Sequence, residues 1–313
     1  MRERRGQSDS SSGRGQAHAP PHAPFDTRPL NAITIDVEDW LQSAVDPDLP
    51  VTVRFRASTR RVLELLDRLG VRGTFFVLGL AAEKAPDLVR AIHRAGHEVQ
   101  SHGYGHRLVH TQSPARFRAD IERSKKLLED LIGAEVFGYR APAFSITRRT
   151  LWALDALADA GYRYDSSIFP IALRRYGISG GPRGPHRLRS RRGHELVEAP
   201  VATFQAAGRR VPAGGGGYFR LLPYGVLRRG VSQLNAQATP ATIYMHPYEF
   251  DPDEVLEVGF GVPWSVRARQ GIGRRGFAGK VARLLRDYRF GALSDMLAAV
   301  GALPAFQHAA DVV

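Results

Sequence analysis

Along this chain, short apolar runs alternate with segments whose apolar residues recur every three or four positions. Residues 31–36, Asn-Ala-Ile-Thr-Ile-Asp, read as a first strand. Val62, Leu65, Leu66 and Leu69 share one helical face over residues 60–69, and Gly70 is the stop. A second strand follows at 73–78, a helix at 86–95 closed by Gly96, and a third strand at 97–101. Ser113 before Pro114 is an N-cap with proline at the first helical position, and Phe117, Ile121, Leu127, Leu128 and Leu131 mark the buried face beyond it. Residues 136–140 predict a fourth strand, and Thr147 caps a helix through Ala160 that Gly161 ends. Further strands are expected at 162–165, 196–201 and 241–246, and Val281, Leu284, Leu285 and Tyr288 give a last helix. Strands and helices alternating at this length imply βα units and a parallel sheet. Seven such strands suit a barrel with one strand fewer than the eight-stranded (β/α) barrel.

Two stretches interrupt this rhythm. Residues 170–195 and 202–240 are long for connections in a compact barrel, and long connections usually carry function. Residues 1–28 are polar and rich in Ser, Gly, Pro and His, which predicts a disordered tail before a single domain over 29–305 with a C-terminal extension from about residue 250.

Composition narrows the chemistry. The chain has no cysteine, so disulfides, thiolate metal sites and a cysteine nucleophile are excluded. No apolar run approaches the ~18 residues that span a bilayer, and the opening Met1-Arg2-Glu3-Arg4-Arg5 is no secretory leader, so a cytoplasmic protein is expected. The net charge of +13 is concentrated in two arginine-rich stretches, 174–192 and 267–289. Such stretches can attract acidic polymers or anionic lipid, although a solvated surface explains them as well.

The polar residues that interrupt the apolar pattern fall where a parallel barrel builds its site. Asp36, Arg140, Asp165 and His246 end strands, and His102 follows one. Carboxyl ends of parallel strands converge on one rim. His102 and His106 are four residues apart, so one turn of backbone can aim both imidazoles at one ion. With a carboxylate from Asp36-Val37-Glu38-Asp39 they make the donor set of a hydrolytic metal site with open positions. Mixed nitrogen and oxygen donors suit zinc, with cobalt or nickel as alternatives.

In motif order, residues 31–250 resemble the polysaccharide deacetylases of carbohydrate esterase family four, which share the NodB homology domain. The resemblance is closest to the subgroup associated with exosortase-linked exopolysaccharide clusters. It rests on Asp36-Val37-Glu38-Asp39-Trp40, Arg175-Tyr176-Gly177-Ile178, the run from Gly214 to Pro223, and His246-Pro247-Tyr248-Glu249-Phe250. It implies a deformed (β/α)7 barrel and metal-dependent removal of acetyl groups from N-acetylated sugars. Asp36 would be the general base and His246 the general acid. Arg140 would orient Asp36, and Asp165 would pair with His246 and raise its pKa. His102 and His106 would be metal ligands. Most of the family has adjacent base and ligand aspartates, whereas here valine intervenes. Side chains alternate along an extended chain, which favours Glu38 over Asp39 as the third ligand. A backbone N–H near Ala143 would bind the oxyanion. Tyr218, Phe219 and Arg220, after the glycine run, would contact the sugar.

Other readings predict other behaviour. The same ligand set would serve an amidohydrolase of small cyclic amides or of lipid-linked sugars, but the long inserts favour an extended N-acetylated oligo- or polysaccharide. A non-catalytic module for acidic polymer would bind with steep salt dependence and no turnover; a full set of base, ligands and acid argues against it, and no nucleic-acid partner is expected.

Overall fold

A computed structural model describes residues 28–171, 176–212, 214–258 and 261–307. The tail expected over 1–28 lies outside the described residues except for Arg28, as do Arg174 and Arg175. The strands, in chain order, are β1 (Asn31–Val37), β2 (Thr74–Val77), β3 (Glu98–Ser101), β4 (Gly138–Tyr139), β5 (Tyr164–Asp165), β6 (His186–Arg189), β7 (Glu195–Glu198), β8 (Thr203–Ala206), β9 (Arg209–Pro212), β10 (Thr242–Met245), β11 (Phe290–Gly291) and β12 (Ala305–Gln307). The helices are α1 (Trp40–Ala44), α2 (Arg54–Leu69), α3 (Gly79–Lys84), α4 (Pro86–Arg94), α5 (Pro114–Ile132), α6 (Trp152–Asp159), α7 (Gly216–Leu221), α8 (Tyr224–Asn235), α9 (Glu254–Glu257), α10 (Trp264–Gly271), α11 (Arg274–Asp287) and α12 (Leu293–Val300). None of the described helices is long and apolar enough to cross a membrane.

Seven parallel strands run in the order β10-β1-β2-β3-β4-β5-β7. They are the seven expected from the sequence. The seam between β7 and β10 is not a regular ladder: Ala202 N–H donates to the Thr242 carbonyl at 2.9 Å, and Tyr244 N–H to the Gly214 carbonyl at 2.6 Å. This patched seam makes the barrel a deformed one. The two inserts add what the sequence pattern did not show. β6 pairs antiparallel with β7 and carries β12 on its other edge, and β8 and β9 form a separate hairpin.

All seven residues of β1 are buried, as expected of a strand covered on both faces. Ile33, Ile35 and Val37 face the helical shell with Val62, Leu66, Phe75 and Val77. The alternate positions Ala32, Thr34 and Asp36 face inward. At the bottom of the interior, Ala32, Phe76 and Tyr164 pack on Leu293 and Met296 of α12. Apolar filling therefore closes the amino-terminal end, and polar side chains gather toward the carboxyl end.

Candidate active site

The centre of the carboxyl-end rim is Glu38. Its Oε2 lies 3.1 Å from His102 Nε2 and 2.9 Å from His106 Nε2, with all three side chains buried. β1 ends one residue before Glu38, and β3 one residue before His102. The loop that returns His106 is held by α5: Asp120 accepts from the N–H groups of Tyr104 at 2.8 Å and Gly105 at 3.2 Å, and Ser124 Oγ donates to the Gly103 carbonyl at 3.0 Å. His106 itself takes φ 54°, a left-handed conformation that non-glycine residues adopt only where the surroundings enforce it. His102 Nδ1 donates to the Arg140 carbonyl at 2.9 Å, and this fixes the ring so that its Nε2 faces Glu38. Burial opposes the Glu38 charge. His106 nearby and hydrogen bonds from both imidazoles nevertheless hold its carboxyl well below the usual range. A carboxylate oxygen and two imidazole Nε2 atoms converging in a buried pocket are the donor types that hold a divalent cation.

Asp39 does not join them. Its Oδ1 caps α1, accepting from Leu41 N–H at 3.0 Å and Gln42 N–H at 3.3 Å, and its Oδ2 accepts from Thr52. The structure brings Glu38, not the alternative Asp39, to the histidine pair.

Asp36, 2% exposed, accepts from Arg140 Nη1 at 2.8 Å. The guanidinium is fixed by Thr34 Oγ1 at 2.6 Å, Ser166 O at 3.2 Å and Ser166 Oγ at 2.8 Å, and lies 4.3 Å from the centre of the Phe76 ring. Arg140 can thus turn only one carboxylate oxygen, so the other Asp36 oxygen is left to the rim.

Asp165 is a correction to the sequence reading. It accepts from Ser167 Oγ and hydrogen-bonds with Glu198, another fully buried acid. Burial pushes Glu198 well up and Asp165 to about 6, so this pair holds a proton between them. Ser167 Oγ in turn accepts from Ala141 N–H at 2.7 Å, so Asp165 braces the backbone beside Arg140. The carboxylate on His246 is Glu249. Its Oε2 lies 3.3 Å from His246 Nδ1 and also accepts from the His246 backbone N–H at 3.0 Å. The short turn Pro247–Phe250 brings this side chain back, and Tyr248 stacks on the imidazole at 4.7 Å and 7°. His246 Nε2 points inward, 3.7 Å from Glu38 Oε1. Burial works against a charged His246, yet the Glu249 hydrogen bond and the Glu38 charge raise its pKa to about 9.

Arg220 and Phe219 are also corrected. Arg220 is buried and does not reach for substrate: its Nε donates to Glu249 Oε1 at 2.9 Å and its Nη1 to the Gln270 and Ile272 carbonyls at 2.6 and 2.9 Å. It anchors the carboxylate that anchors His246. Phe219 is buried against Phe277 of α11. Of the three, only Tyr218 is exposed, beside Tyr176. Ala143 is exposed in the rim with φ 49°, and Phe144 follows at φ 53°.

The glycine run is a pinned junction, not a loose loop. Gly215, at φ 154°, pairs with Tyr244 of β10, and a Cβ there would drive into the Tyr244 carbonyl oxygen. Gly215→Ala is therefore expected to lower the melting temperature by at least several degrees, measured by thermal unfolding. An unchanged melting point would show that the junction tolerates displacement.

Glu249 is the functional residue that strand-end reasoning passed over. Its signal was the three-residue offset from His246, the spacing that lets a side chain fold back to a cap. The arginine-rich stretches are partly absorbed into the fold: Arg192 pairs with Asp159 at 2.6 Å, and buried Arg274 with Glu254 at 2.9 Å.

Residues 38–164 match the polysaccharide deacetylase family, and residues 166–298 match a domain of unknown function (DUF3473). A peptidoglycan deacetylase-like protein of Gibberella zeae is 30% identical over 128 residues, 40% of this chain and 37% of that protein. A peptidoglycan-N-acetylglucosamine deacetylase of Bacillus cereus is 32% identical over 98 residues, 31% of this chain and 36% of its own length. The match thus spans little more than a third of either relative. A Mycobacterium smegmatis structure described as a polysaccharide deacetylase superposes with a TM-score of 0.61 at 22% identity, covering 93% of this chain and 97% of its own, a likeness of fold. His102, His106 and Arg140 lie in the first matched region, and His246, Glu249 and Arg220 in the second. Residues 38–164 are thus similar to polysaccharide deacetylases, and the rest of the barrel is supplied by a region similar to a domain of unknown function.

Proposed function

We propose that the chain is a metal-dependent N-deacetylase that removes acetyl groups from N-acetylated amino sugars of an exopolysaccharide or its precursor. One observation carries the reading: Glu38, His102 and His106 converge on a buried point, with Asp36 two residues away on β1 and His246 at the end of the adjacent β10. Glu38, His102 and His106 would hold the ion; zinc suits them, as do cobalt and nickel. A bound divalent cation supplies Lewis-acid polarisation of the acetyl carbonyl and a lowered pKa for a water molecule.

The chain's own groups do the rest. Asp36, turned by Arg140, accepts the proton of the attacking water as its oxygen bonds to the acetyl carbon. The peptide N–H at Ala143 donates to the oxygen that gains charge. His246 gives the Nε2 proton to the sugar nitrogen as the C–N bond breaks, while Glu249 holds Nδ1. Acetate and a free amine result. The subgroup motifs and the built-up inserts support a polymer over a small cyclic amide.

The test is release of acetate and of free amine from N-acetylglucosamine oligomers by protein loaded with Zn2+, against the same protein after chelation. Turnover that disappears on chelation and returns with metal supports the reading. Hydrolysis of a small cyclic ureide with none of the oligomers would replace it.

A further inference from the structure

The exposed large apolar side chains are not scattered. Among the described residues there are eight, and every one lies on a segment that follows the carboxyl end of a barrel strand. Val45, Leu49 and Val53 follow β1; Tyr218 and Leu221 follow β7; Leu256, Trp264 and Ile272 follow β10. The three segments adjoin. Arg54, at the end of the first, bonds Asp251 at 2.7 Å and pairs with Glu257 beside Leu256. Arg220, beside Leu221, donates to the Ile272 carbonyl. Arg267 of α10 donates to the Val255 carbonyl in α9 at 3.1 Å. Beneath them Trp40, Tyr248 and Val255 pack together, and Tyr248 is the ring stacked on His246. The apolar rim therefore lies along one side of the site, next to the ring that stacks on His246.

Its most prominent part is α10. The helix has no buried residue, and Trp264 at its start is 79% exposed. From Val258 to Arg286 the chain carries seven Lys or Arg and no Asp or Glu, with Arg269 and Arg275 exposed. We propose that this rim is a docking surface for an anionic lipid bilayer, into whose interface Trp264, Leu256 and their neighbours insert while the arginines meet lipid phosphates. Around α10 the exposed apolar side chains stand among cations, the pairing that interfacial binding requires, whereas Val45 and Leu49 flank Asp46 and Asp48. A second copy of the chain is a poorer occupant, because each copy brings a net charge of +13. Glycan is poorer too: six of the eight side chains are Val, Leu or Ile, which lack the flat faces on which sugar rings stack. The consequence, that the sugar acted on is presented at a membrane surface, rests on the deacetylase reading; the docking itself does not.

Flotation of the full chain with phosphatidylcholine vesicles, and with mixed phosphatidylcholine–phosphatidylglycerol vesicles, tests it. The protein is expected to float with the mixed vesicles and to be released as salt is raised from about 0.1 M to about 0.5 M. The double variant Leu256→Ser, Trp264→Ser should partition at least about tenfold less, with unchanged turnover of soluble N-acetylglucosamine oligomers. Arg269→Gln with Arg275→Gln should weaken only the anionic-vesicle binding, which preserves the test if the first variant melts early. Failure of the wild-type chain to float, or equal flotation of the Ser variant, overturns the proposal. So does retention on an acetylated polysaccharide column that the Ser variant loses in the absence of any vesicle binding. Flotation without oligomer turnover keeps the docking surface and removes the deacetylase reading.

Discussion

Glu38→Gln is expected to lose the metal and to reduce turnover on the order of 10³-fold or more, while the metal-free fold survives. The carboxylate is the one anionic donor that touches both imidazoles, at 3.1 and 2.9 Å. Glutamine keeps the volume but offers a neutral carbonyl, a far weaker partner for a divalent cation. The amide oxygen still accepts hydrogen bonds at the same place, so the substitution leaves no buried polar group without a partner. The contrast is Asp39→Ala. Asp39 caps α1 and holds Thr52, so its loss is expected to cost about 1–2 kcal/mol of stability and leave metal content intact. Elemental analysis and thermal melts of the two purified variants separate the roles. Stoichiometric zinc in Glu38→Gln, or its loss in Asp39→Ala, would reassign the ligand.

What could be read from the sequence was what periodicity encodes. The seven barrel strands and the α2, α4, α5 and α11 faces followed from spacings of two and of three to four, because each element buries one side. β4 and β5 have only two residues each in regular pairing, and they were still legible because Arg140 and Asp165 punctuate apolar runs. The alternation that favoured Glu38 over Asp39 works for the same reason: Asp36 and Glu38 share a face, and Asp39 turns away to start α1. The hairpins of the two inserts were not legible. β6 and β9 are rich in arginine, their exposed faces interrupt the apolar signal, and β9 has no buried residue.

The misassigned partner of His246 shows where strand-end reasoning stops. It places residues on a rim but does not say which neighbours meet across it. Asp165 sits on β5, and β7 with its irregular seam lies between that strand and β10. Its oxygens are engaged by Ser167 and by Glu198, whose complete burial no local pattern announces. Glu249 reaches His246 from three residues away, without crossing the barrel. Phe219 and Arg220 are expected from the sequence to contact the sugar, yet Gly215 and Gly216 before them serve close approach to Tyr244 of β10, and the two side chains turn inward.

The largest effect of the C-terminal region on chemistry should be read through Glu249→Gln. If His246 is the proton donor, turnover should fall as pH rises through its pKa, which its surroundings raise to about 9 in the metal-free protein. Burial alone would favour the neutral ring; the Glu249 hydrogen bond and charge oppose it, as does the charge of Glu38. A cation at Glu38 opposes the second of these, leaving Glu249, with a smaller contribution from Asp36, to keep His246 protonated. In Glu249→Gln the alkaline limb should therefore move to lower pH, and kcat at pH ~8 should fall by on the order of tenfold or more with little change in KM. His246→Ala should lose about 10²–10⁴-fold below the His246 pKa, with the gap narrowing above it. The linkage to stability has a definite sign. The folded pKa lies above the reference value of 6.5, so the pair's contribution is complete below about 6.5 and is lost as pH rises through about 9. The melting difference between wild type and Glu249→Gln should be widest on the acid side of that window and close on the alkaline side. An alkaline limb that does not move between wild type and the variant would mean that Glu249 only shapes the turn, and that another group keeps the proton on His246.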